Sequence, residues 1–81
     1  MDTKEIVMNS ELNKWADIDH ELFSAVVIES EKDLGYTFTL KHVRRNDISR
    51  NYYPSASMWN VKYWKSEKGA RKAACKRLGL K

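Results

Sequence analysis

A chain of 81 residues that is 42% apolar, 11% aromatic and 32% charged can build one small core, which excludes wholesale disorder. Its formal charge of +4 hides a segregation: residues 1–35 hold nine acids and three bases, a net of −6, and residues 36–81 hold twelve bases and two acids, a net of +10. A single cysteine, Cys75, excludes an internal disulfide framework and a cysteine-cluster zinc site, and no apolar run approaches the ~20 residues that span a bilayer.

Residues 1–9 carry only a brief apolar group, Ile6-Val7-Met8, and read as an arm or a short edge strand ahead of a single domain at 10–81. Ser10 resembles a helix N-cap, with Glu11 close to the positive end of the helix dipole. Leu12, Trp15 and Ala16, then Leu22, Phe23, Val26 and Val27, recur at helical spacing, and Gly35 suits a left-handed stop. That spacing predicts one helix, or a pair, over 10–34. Ala25-Val-Val-Ile28 points the other way, because β-branched side chains lose rotamer freedom in helices and suit strands. If 23–30 is extended, Glu31 to Gly35 becomes a hairpin loop.

From Tyr36 the period changes to two. Tyr36, Phe38 and Leu40 alternate with Thr37, Thr39 and Lys41, and Trp59, Val61 and Tyr63 alternate with Asn60, Lys62 and Trp64. These stretches predict two antiparallel strands joined by a long basic and aromatic loop at 44–57. The final element is a helix with Ser66 as its cap, an alanine face through Ala70, Ala73 and Ala74, and Gly79 at its end. The fold class expected is α+β: an N-terminal helix or helix pair, two antiparallel strands (three if 23–30 is extended), and a C-terminal helix, with the helices on one sheet face.

Chemistry has little support in the chain. Asp17-Ile-Asp-His-Glu21 is its densest group of metal-ligand types, yet it lacks the glycine and terminal glutamate of a calcium loop, and its carboxylates diverge on a helix. His42 has no nucleophile paired with it, and no glycine loop is built to cradle phosphate. The expectation is a chain without catalysis, metal or cofactor.

Three basic surfaces stand out instead: the polar strand face with Lys41 and Lys62, the loop with Arg44, Arg45 and Arg50, and the last helix with Lys68, Arg71, Lys72 and Lys76. Neutralising phosphates supplies most non-specific affinity for nucleic acid, and Tyr52, Tyr53 and Trp64 add flat rings on which bases stack. The plainer alternative is that the tyrosines pack the loop down and the lysines form a solvated helix face. The segment Lys68-Gly-Ala-Arg-Lys-Ala-Ala-Cys-Lys-Arg-Leu78 resembles the second helix of double-stranded RNA-binding domains. This resemblance implies a helix seated on a sheet by its alanines, with Lys68, Arg71 and Lys72 on phosphates across a groove. Strand, turn and alanine-rich helix are also similar to the sheet-plus-helix DNA readers of the AP2 and phage-integrase-arm kind, which implies a sheet face in the major groove.

The expected function is therefore nucleic-acid binding, duplex favoured, by a cytoplasmic protein with no membrane association. The rival is a small protein-interaction module or inhibitor that occludes a partner protein, with an acidic N-terminal half and aromatic and arginine anchors. A homodimer joined through opposite charges is compatible with both.

Overall fold

The computed structural model describes residues 2–44, 47–50 and 61–80. In chain order they form α1 (Thr3–Asn9), β1 (Ala16–Asp17), β2 (Phe23–Glu31), β3 (Gly35–His42), β4 (Ile48–Arg50) and α2 (Glu67–Arg77). The class is α+β. The four strands make one antiparallel sheet in the order β1-β2-β3-β4, α2 packs against it, and α1 packs against α2.

The helix expected over 10–34 is replaced by β1, β2 and a hairpin. Val26 and Ile28 pair with Leu40 and Phe38 on the face toward α2, while Ala25 and Val27 pair with Lys41 and Thr39 on the other face. All four residues from Ala25 to Ile28 are buried, so both faces of β2 are covered. A strand covered on both sides loses its alternation, and its unbroken apolar run imitates a helical stripe. The β-branched content of the segment was the correct signal. The hairpin loop is residues 32–34, with the Leu34 N–H donating to the Glu31 carbonyl at 3.2 Å and Asp33 in the left-handed region. Gly35 follows at φ 110°, and a Cβ there would collide with the Trp64 carbonyl oxygen.

The N-terminal residues expected as an arm or edge strand form α1. Asp2 caps it, accepting the Glu5 N–H on Oδ1 at 2.8 Å. Ser10 closes this helix instead of opening another: its N–H donates to the Ile6 carbonyl at 2.9 Å. Val7 is fully buried and joins Phe23, Val26, Ile28, Phe38, Leu40, Ala74, Cys75 and Leu78 in the core.

β4 lies inside the span expected as loop 44–57, pairing Ile48, Ser49 and Arg50 with Lys41, Leu40 and Thr39. Three residues with one apolar side chain are too few for alternation to be read. Of the strand expected at 58–64, residues 58–60 lie outside the described residues. In the remainder Tyr36 and Trp64 form a bridge, exchanging N–H···O bonds of 2.8 and 2.7 Å. Trp64 stacks on Phe38 with ring centroids 5.7 Å apart.

α2 forms as expected. The Ser66 hydroxyl accepts the Gly69 N–H at 3.0 Å. At the other end Gly79 turns left-handed, its N–H donating to the Lys76 carbonyl (3.1 Å) and that of Leu80 to the Cys75 carbonyl (2.9 Å). Those two bonds satisfy carbonyls that the helix end would otherwise leave open.

Candidate nucleic-acid interface

α2 turns Ala70, Arg71, Ala74, Cys75 and Leu78 inward and leaves Lys68, Lys72 and Lys76 exposed. Alanines on the buried side let the helix settle close to the sheet, and the 3.6-residue period then aligns the three lysines along one flank, a row about 12 Å long. Among the described residues the ion pairs are Glu11–Lys14 (2.8 Å), His42–Asp47 (3.8 Å) and Glu67–Arg71 (3.2 Å). Among the described residues no carboxylate of the acidic half holds a lysine of this row.

Arg71 has a different fate. Its Nη1 donates to the Val7 carbonyl (2.7 Å) and the Ser10 hydroxyl (3.1 Å), its Nη2 to the Ser10 carbonyl (2.6 Å), and its Nε to Glu67 (3.2 Å). The guanidinium closes the C-terminal end of α1 from inside the molecule, so it is not on the open surface with its neighbours Lys68 and Lys72.

The other basic candidates divide between faces. Lys41 is exposed on the sheet face away from α2, and Arg50 shares that face through its pairing with Thr39. The strand surface and the lysine row therefore look in opposite directions. Arg44 is exposed in the turn after β3 and lines, with Arg77, a hollow of about 450 Å³ that includes Phe23, His42 and Glu21. The Arg77 guanidinium lies 5.2 Å from the Phe23 ring centre. Lys62 places its ammonium 5.1 Å from the Trp64 ring centre, so that ring has Phe38 and Lys62 as neighbours. Arg45, Tyr52 and Tyr53 lie outside the described residues.

The face away from α2 carries both signs. Burial, then the carboxylates of Glu31 and Glu29, push the Tyr63 phenol above its ordinary range, with Arg50 opposing. Thr39 donates to Glu29 at 2.5 Å and Thr37 to the Lys62 carbonyl at 2.9 Å, which satisfies two buried hydroxyls. Trp15 and Ile48, 51% and 48% exposed, stand at a hollow of about 230 Å³ with Val27, Thr39 and Arg50.

His20 is committed to structure. Nδ1 accepts the Leu22 N–H at 3.0 Å, which leaves Nε2 to donate to the Leu78 carbonyl at 2.8 Å. The helix expected to carry Asp17 to Glu21 does not form, and among the described residues no three histidine, cysteine or acidic side chains gather as metal ligands would. No helix among the described residues is long and apolar enough to cross a membrane.

Sequence reasoning passed over Lys4 and Arg77. Arg77 sits on the flank of α2 opposite the lysine row, a position readable from its helical spacing. Lys4 comes beside Lys72 and Lys76 only because α1 packs on α2, and the signal for α1 was Asp2 followed three residues later by Glu5. Compared with protein-family models, curated proteins and solved structures, the chain finds no match.

Proposed function

We propose that this protein binds nucleic acid without catalysis, duplex in preference to single strands, through phosphate contacts from Lys68, Lys72 and Lys76. The observation that carries this reading is the exposed lysine row with no carboxylate partner among the described residues. A duplex carries about one negative charge per 1.7 Å of axis, so a row about 12 Å long faces several phosphates at once. The order helix, antiparallel sheet, helix, with alanines on the sheet side of the last element, supports the likeness to double-stranded RNA-binding domains. Arg71 has no part in the contact here. Lys41 and Arg50 belong to another surface and also stay out of the contact set.

The test is titration of duplex and single-stranded DNA and RNA at several salt concentrations. Three lysine contacts give a log–log slope near −3, and each lysine-to-alanine change lowers its magnitude by about 1. A salt-independent titration, or a K68A/K72A/K76A variant that binds like the parent, overturns the reading.

The second reading, a protein-interaction module or inhibitor, draws on the opposite face, where Trp15 and Ile48 stand half exposed. Aromatic anchors of this type dominate protein interfaces. Partners captured by the full chain that survive nuclease and are lost in W15A favour it over the first.

A further inference from the structure

The groove between α1 and α2 has a floor that phosphate binding does not explain. It is an open hollow of about 570 Å³ lined by Lys4, Met8, Lys72, Cys75, Lys76 and Leu80, with Gly79 beside them. That size falls within the roughly 300–1,000 Å³ of small-molecule sites. Among the described residues its lining combines three lysines with a methionine, a cysteine and a leucine, and includes no aspartate or glutamate. Beyond Gly79 there is open space, with nothing within 4 Å of where a Cβ would stand. The charge of Lys4 reaches the floor, for it opposes the upward push that burial gives the Cys75 thiol.

We infer that this groove binds a single-chain anionic amphiphile, a long-chain carboxylate. The hydrocarbon lies along Met8, Cys75 and Leu80, and the carboxylate sits among Lys4, Lys72 and Lys76. Each further methylene buried strengthens binding, so the site distinguishes a chain of a dozen carbons from a short carboxylate. The lysines distinguish it from a cationic amphiphile of equal length. A nucleic-acid backbone has no counterpart to that chain, so the inference stands independently of the proposed phosphate contacts.

The experiment titrates the full chain with dodecanoate below its micelle concentration, followed by calorimetry and by amide chemical shifts of α1 and α2. Butanoate and dodecyltrimethylammonium serve as controls. Saturable dodecanoate binding, at least tenfold tighter than either control and weakened at least tenfold in K72E/K76E, is the expected result. M8D is the second variant, with its melting temperature recorded beside its affinity. K41A, on the opposite face, binds like the parent. Equal binding of the cationic amphiphile, no binding of dodecanoate, or an unchanged K72E/K76E overturns the inference. So does binding to phosphatidylglycerol vesicles without binding to free dodecanoate.

Discussion

Arg71 donates four hydrogen bonds, to Val7, Ser10 and Glu67, while only 5% of the residue is exposed. Burying a guanidinium is tolerable only when its charge is paired and its N–H groups are satisfied, and here Glu67 pairs the charge while two backbone carbonyls and the Ser10 hydroxyl at the end of α1 take the other bonds. R71A leaves the Val7 carbonyl buried without its donor, and we expect it to cost about 2–4 kcal/mol in urea unfolding. R71K recovers only part, because a single ammonium cannot span the acceptors that the planar fork reaches. The position was readable in part: Arg71 falls between Ala70 and Ala74 on the alanine side, whereas Lys68 and Lys72 lie on the exposed flank. That Val7 and Ser10 would supply its acceptors was not readable, since the bond crosses 64 positions of the chain. Gly35 is the other residue with no substitute. G35A meets both the left-handed φ and the Trp64 carbonyl, and we expect a loss of more than about 1 kcal/mol, visible as a lower urea midpoint.

At the scale of elements, α2 carries a built-in conflict. Like charges four residues apart destabilise a helix by about 0.2–0.5 kcal/mol per pair, and Lys72 takes part in two such pairs, with Lys68 and Lys76. K72Q is therefore expected to raise stability by a few tenths of a kcal/mol and to weaken nucleic-acid binding, two readouts of opposite sign from one substitution. Thermal unfolding and a duplex titration measure them. α2 was legible in full because its cap, its small-residue face and its glycine stop agree. β2 was legible only as an alternative, because burial on both sides removed the period that identifies a strand. β4 was illegible, and α1 was passed over because seven residues hold only about two turns of pattern.

Across the whole molecule, the proton balance sets an alkaline limit. Burial raises the Cys75 thiol, against Lys4, and burial with Glu31 and Glu29 raises the Tyr63 phenol, against Arg50. Both groups hold their proton more tightly folded than unfolded. Their contribution is thus complete below the unfolded pKa values and declines as pH rises through the folded ones. Urea midpoints are expected to stay level up to about pH 8.5, the ordinary thiol range, and to fall above it. In C75A the fall begins nearer pH 10, with the tyrosine. The segregation of charge in the sequence survives in part, since no carboxylate from residues 1–35 holds a lysine or arginine of the second half among the described residues. The clasp between Arg71 and the end of α1 also bears on how the chain comes into being. Arg71 and Val7 lie 64 positions apart, so during synthesis α1 finds its partner only after the whole sheet and α2 have been translated, and the hydrophobic centre cannot seal before then. By the same geometry, a circular permutant that links Leu80 back to Asp2 and starts anew within the loop at 32–34 makes both helices neighbours in sequence, and faster refolding is the expected outcome.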